Sequence, residues 1–413
     1  MPKNKILPVL IVFMMLFCTQ GCGASVEKAA PEAVILTKNP AAQEPIPTAM
    51  PVLPQTVEIY RGNLERSGVF TAEAPVDNAD LLWQASGATP SASPVLVGSQ
   101  LLVGSPDGLT ALDSQTGGLL WKAQTSGAVS SAPAYWSNAL FVGDANGVLY
   151  ALESQTGQQL WTYQTGGPIF SSPAVDESGI YFGSMDGFFY ALNPESGQFL
   201  WKFEVAGTND PASGISKGVR GTPALSGNTL VFASAQSGGA SAELIVYALD
   251  KISGQKLWEY STWNQITGPA IADGVVYVGG FGTFTGPRLS DGEPVFNFET
   301  DIVSSAPAIV DGVAIFGLDD GHMLAVSLRT GEIKWSFNAG SALSSAPSVS
   351  GQMVYFGTGA GALYAIDIPS GQAIWIYETG AHITSSPLLA EGAVYVTSDN
   401  GTVYALTSRS AGN

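Results

Sequence analysis

Hydrophobic and polar positions alternate over short runs through most of the chain. "ALFVG" at 139–143, "VVYVG" at 275–279 and "MVYFG" at 353–357 are typical. β-Branched and aromatic residues alternate across two faces there, and a glycine closes each run, so each predicts a short strand. No helical periodicity of useful length interrupts them.

The runs recur as a cassette. "DANGVLYALESQTGQQLW" at 144–161 returns as "SMDGFFYALNPESGQFLW" at 184–201 and "TGAGALYAIDIPSGQAIW" at 358–375. A proline after small residues opens each repeat, at Pro94, Pro133, Pro173, Pro223, Pro269, Pro307, Pro347 and Pro387, mostly 38 to 40 residues apart. Four short strands per repeat of this length predict an all-β fold, an eight-bladed β-propeller of four-stranded antiparallel blades over 81–413.

Each part of the cassette answers a packing need. Asp107-Gly108, Asn146-Gly147, Asp186-Gly187, Asp320-Gly321 and Asn400-Gly401 suit the positive-φ turn of the middle hairpin. Tyr-Ala-Leu or a close variant then forms the third strand. Its small residue, as at Ala111, Ala151, Ala191, Ala248, Ala325, Ala365 and Ala405, is expected to make room for a tryptophan from the adjoining sheet. A Thr-Gly or Ser-Gly turn, as at Thr156-Gly157, leads to the outer strand. That strand is marked by Trp121, Trp161, Trp201, Trp258, Trp335 and Trp375, with Phe296 in the weak fifth repeat. Indoles buried between sheets account for these tryptophans without a stacked ligand. The Asp-Gly turns lack the closely spaced carboxylates of a calcium loop.

The eighth repeat stops after Tyr404-Ala405-Leu406 without a tryptophan, whereas "LLWQASGA" at 81–88 has one with no repeat before it. Trp83 is therefore expected to supply the outer strand of the last blade, sealing the ring and removing an exposed edge.

At the other end, "MPKNK" and the apolar "ILPVLIVFMMLF" have the form of a signal peptide, too short to span a bilayer. The run ends in "TQGC", which resembles the lipobox of bacterial lipoproteins. The resemblance implies cleavage after residue 21 and lipidation of Cys22; Cys18 follows bulky Phe17 and fits a signal peptidase poorly. Residues 22–56, rich in Pro and Ala, suit an extended tether, and 57–80 form a lead-in to the propeller. Only Cys18 and Cys22 exist, so the mature body has no disulfide and no thiolate site.

Charge narrows the partners. The formal charge is −18, and loss of Lys3 and Lys5 with the leader makes the mature chain about 20 negative. Nucleic acid is excluded as a partner by this balance. His322 and His382, the only histidines, lie in different repeats and offer neither a zinc spacing nor a triad. His382 is expected on the ligand-bearing face, near the level of Ile169, Val303 and Leu343 in other repeats.

The cassette resembles the pyrroloquinoline-quinone (PQQ)-like repeat, G-x-x-x-G-x-x-Y-A-L, then T-G, then L-W. Gly143, Gly147, Tyr150, Ala151, Leu152, Thr156, Gly157, Leu160 and Trp161 meet it. "YRGNLERSG" at 60–68 resembles the F-R-G-x-x-x-R-x-G segment that leads into such propellers. The resemblance admits a quinoprotein dehydrogenase using PQQ and calcium, but such enzymes place a vicinal cysteine pair against the quinone, and this body has no cysteine. A PQQ- or carbohydrate-binding propeller is the alternative reading. Lipobox, tether and bare ring together resemble the BamB-like propeller lipoproteins of the outer-membrane barrel-assembly machinery. That likeness implies a monomeric, lipid-anchored ring, facing the periplasm if the cell has an outer membrane and on the cell surface otherwise, which scaffolds a protein partner in the envelope and needs no cofactor, no metal and no catalytic residue.

Departures from the cassette mark the individual site. "EVAGTNDPASGISKGVRG" at 204–221 enlarges the link into repeat four and carries Asn209, Asp210, Lys217 and Arg220. "ASAQSGGASAEL" at 233–244 expands the middle hairpin of repeat four, and "STWNQITG" at 261–268 adds Trp263 and Asn264, with Trp263 outside the blade register. These loops emerge on one face, so with His382 they form the candidate partner- or ligand-binding surface. Arg220 and Trp263 are expected to offer a cationic and aromatic contact.

Overall fold

The computed structural model describes residues 57–89, 92–205, 216–237, 243–263 and 267–408. The leader, Cys18, Cys22 and the tether lie outside them, as do Asn209, Asp210 and Asn264.

Eight antiparallel sheets follow one another in chain order. Their inner strands are Val95–Val97, Ala134–Trp136, Ala174–Asp176, Ala224–Ser226, Ala270–Ala272, Ala308–Val310, Ser348–Ser350 and Leu388–Ala390, each starting just after its repeat's proline. Blade 2 shows the plan: Ala134–Trp136, Ala139–Gly143, Val148–Glu153 and Gln159–Gln164, each paired with the next. Second strands such as Ala139–Gly143 are buried along their whole length, because neighbouring blades cover both faces. Outer strands alternate; Phe199–Glu204 exposes Phe199 and Leu200 and buries Trp201.

The strand Asp80–Ser86 pairs antiparallel with Thr402–Thr407 and is the outermost strand of blade 8. Trp83 stands opposite Ala405, as Trp161 stands opposite Ala151. Each cassette alanine therefore faces the tryptophan of its own blade, which corrects the expectation of a partner from the adjoining sheet. The adjoining blade contributes the glycine of its Thr-Gly turn. Gly157 has φ +70°, and a Cβ there would lie 2.5 Å from the Trp121 ring, so the residue must be glycine on both counts. Indole N–H groups also reach the next blade: Trp201 donates to Lys251 O, Trp258 to Leu289 O, Trp335 to Ile368 O and Trp83 to Ser114 O. The turns are built locally, with Asp113 Oδ1 accepting from the Gln115 amide and from the amide and hydroxyl of Thr116. The Thr116 hydroxyl and amide hold the Asp113 carboxyl below its ordinary pKa.

Inner strands face the axis with one unpaired edge, and unpaired backbone groups there would be costly. The lead-in fills this space. Val57–Glu58 pairs with blade 1 at Val97 and Leu96, and Val69–Phe70 pairs in parallel with blade 7 at Val349 and Ser350. Between them, carbonyls of Leu64, Glu65, Ser67 and Gly68 accept from amides of Leu225, Ile271, Ile309 and Val349, in blades 4 to 7, each at 2.8 Å. The lead-in is thus an axial plug built into the ring. It then passes blades 7 and 8, where Glu73 O accepts from the Gly392 amide. Blade 8 has no Thr-Gly turn to receive the preceding tryptophan, and Pro75 O takes its place, accepting from Trp375 Nε1 at 3.2 Å and from the Tyr355 hydroxyl at 2.8 Å.

Candidate functional site

Inner strands leave the end of the ring that holds the links between blades, and outer strands return to it. The middle hairpins reach the same end, so one face gathers both kinds of insertion. In blade 4 the expanded hairpin is largely strand: Thr229–Ser237 and Glu243–Asp250 extend the second and third strands. The longer third strand offers backbone partners further out, and the outer strand Lys256–Trp263 follows it. Trp263 stands opposite Glu243, within the ladder, which corrects its placement outside the register. Part of the enlarged link also joins the sheet: Ser216–Gly218 pairs with Ala235–Ser237, putting Lys217 opposite Gln236.

Arg220 is exposed on this face, and its guanidinium lies 4.8 Å from the centroid of the Phe170 ring. Its cation–π partner is thus an aromatic from the link between blades 2 and 3. His382 is 68% exposed, with Nδ1 3.9 Å from Asp399. The residue equivalent to Ile169, Val303 and Leu343 is its neighbour Ile383, buried against Gly357 as Ile169 is against Gly143. His382 instead matches Pro168, Ile302 and Ala342, which corrects the expected level by one position. His322 holds Asp320 at 2.9 Å on a hairpin turn. Among the described residues no three His, Cys, Asp or Glu side chains converge as a metal site.

A cavity of about 450 Å³ lies on the axis, with Tyr60, Arg61 and Arg66 of the plug among its lining and Arg220 also reaching it. Arg61 and Arg66 are 2% and 4% exposed. Arg61 donates to Pro347 O, Pro307 O and Arg66 O; Arg66 donates to Pro223 O, Pro173 O and Tyr60 O. The two forks thereby tie the starts of blades 3, 4, 6 and 7 to the plug. Burial pulls both guanidinium pKa values down to about 10, and the Arg61 charge adds to the fall at Arg66, so both remain cationic at neutral pH. These two arginines were not among the sequence candidates. Their signal was present in R-G-x-x-x-R-x-G, whose paired arginines in so acidic a chain are unusual.

The family model described as outer membrane protein assembly factor BamB matches residues 74–245 and 242–413. The outer membrane protein assembly factor BamB of Yersinia pestis is 33% identical over 103 residues, which is 23% of this chain and 26% of that protein. The match thus spans about a quarter of the curated relative's length. Among solved structures, BamB from Moraxella catarrhalis superposes with a TM-score of 0.64 at 16% identity, covering 81% of this chain and 99% of that one. A europium-containing methanol dehydrogenase gives 0.69 at 13% identity, covering 85% and 97%. At these identities, likeness to the two structures shows the propeller fold alone.

Proposed function

The chain belongs to the outer membrane protein assembly factor BamB family of PQQ-like repeat propellers, and on that premise we propose that it is a non-catalytic scaffold for outer-membrane protein assembly. In this reading lipid on Cys22 holds the monomeric ring to the membrane, facing the periplasm, and the ring binds a protein partner without a cofactor. The observation that carries the reading is the paired family match, which runs from residue 74 to residue 413. The geometry supports it: a ring pinned at its axis and between its blades offers a rigid platform on which, among the described residues, blade 4 is lengthened in three strands. We place the partner contact on that sector, with Lys217, Arg220 and Trp263, together with Asn209, Asp210 and Asn264, and with His382 on the same face.

Affinity capture of the full-length, lipidated protein from native membranes tests the scaffold. Stoichiometric recovery of an outer-membrane assembly complex, lost with Arg220→Glu, is expected; recovery of no envelope protein overturns the reading. Calorimetry with PQQ and calcium tests the non-catalytic part, which tight stoichiometric binding of the pair would sink. Fatty-acid labelling tests the anchor: Cys22→Ser should lose the label and Cys18→Ser should keep it.

A further inference from the structure

The axial cavity lies in an acidic protein, yet its described lining contains three arginines and no carboxylate. Arg61 and Arg66 have only backbone carbonyls as acceptors among the described residues, so no described carboxylate pairs with either buried positive charge. Buried charges are ordinarily paired, because carbonyl dipoles offset only part of the lost hydration. Nε of Arg61 is buried without an acceptor among the described residues. Around the wall, hydroxyl-bearing Thr222 and Ser344 come from two different links between blades, while the Thr384 hydroxyl of a third link donates to Asp399 Oδ1 at 2.7 Å. Guanidinium groups and hydroxyl-bearing side chains around an open space form a cradle for oxyanions.

We infer that the axial cavity is a binding site for a compact organic anion carrying more than one oxyanion group, a small polycarboxylate or a phosphorylated metabolite, with Arg61, Arg66 and Arg220 as its cationic contacts. Arg61 and Arg66 are held by the plug and stand ready, whereas Arg220 reaches in from the partner-binding face. An anion there would supply the missing counter-charge to the plug and tie it more firmly to the blades. The inference does not depend on the scaffold reading, since it rests on the cavity alone.

Titration calorimetry of the mature protein with citrate, and separately with inorganic phosphate, tests it. Citrate should bind one to one, more weakly as salt rises, and should raise the melting temperature. Binding of citrate over phosphate supports the need for several oxyanion groups on one ligand; equal binding, or tighter binding of phosphate, identifies a single-oxyanion cradle and overturns that need. Arg220→Gln should weaken citrate about tenfold, the usual scale for one charged hydrogen bond. Ala306 lines the cavity and is half-buried, so Ala306→Asp tests charge directly. It should abolish binding while the near-isosteric Ala306→Asn retains it, with thermal unfolding showing that both are folded. Absence of binding by either anion, or equal binding by the Asp and Asn variants, overturns the site.

Discussion

Two glycines separate the cost of a strained turn from the cost of breaking the contact between blades. Gly117 and Gly331 both occupy the Thr-Gly turn, with φ +70° and +71°. A Cβ on Gly117 would lie 2.6 Å from the Trp83 ring, whereas one on Gly331 meets nothing within 4 Å. The difference arises because blade 5 carries Phe296 where other blades carry tryptophan. Gly331→Ala should therefore lose only the left-handed backbone preference, about 1–2 kcal/mol. Gly117→Ala should lose that plus an overpacking cost of about 1–3 kcal/mol. In a Trp83→Ala background the Gly117→Ala cost should fall to that of Gly331→Ala, giving a coupling of about 1–3 kcal/mol between residues distant in sequence. Urea unfolding followed by far-ultraviolet circular dichroism measures all four variants. Equal losses at the two glycines, or no coupling to Trp83, would refute the seam between blades 8 and 1.

Trp83→Ala alone should cost about 3–5 kcal/mol, the scale for truncating a buried large aromatic; a loss below about 1 kcal/mol would place the residue outside the seam. Gly62 has φ +81°, and its Cβ would lie 2.1 Å from Val69 O. Gly62→Val should thus dislodge the plug and raise proteolysis near residues 57–75, while a wild-type digestion pattern would argue against a threaded lead-in. Burial raises the pKa values of the Tyr181, Tyr190, Tyr355 and Tyr395 hydroxyls, that of Tyr395 to about 12. The unfolded chain releases these protons near pH 10, so their protonated state favours the fold fully below pH 10 and the advantage is lost as pH rises towards the folded values. Alkaline unfolding should begin above about pH 10, with tyrosinate absorbance appearing together with loss of the fold; free titration of these phenols in the native state would contradict it.

Contacts made once per blade were legible because each leaves a residue at a fixed place in the cassette. The positive-φ glycines, the outer-strand tryptophans and the missing tryptophan of the last repeat belong to this class. Contacts made once in the whole ring left less trace. The plug meets the blades through carbonyls of Leu64, Glu65, Ser67 and Gly68 as well as through Arg61 and Arg66, and a carbonyl acceptor selects no particular side chain. The receptor for Trp375 is likewise a carbonyl, at Pro75. Side-chain partners were misread where repeats were compared loosely. His382 and Ile383 differ by one position, and only the buried one touches a neighbouring glycine. Trp263 was placed outside the blade register because the cassette has a standard strand length, which blade 4 exceeds by lengthening three strands together.

The scaffold claim is tested most directly in cells lacking the protein, by measuring the folded fraction of outer-membrane barrels from their heat-modifiable electrophoretic mobility. The account predicts a lower folded fraction, restored by the wild-type chain and not by a Cys22→Ser, Arg220→Glu variant. Barrels that fold at the normal level without the protein would contradict it.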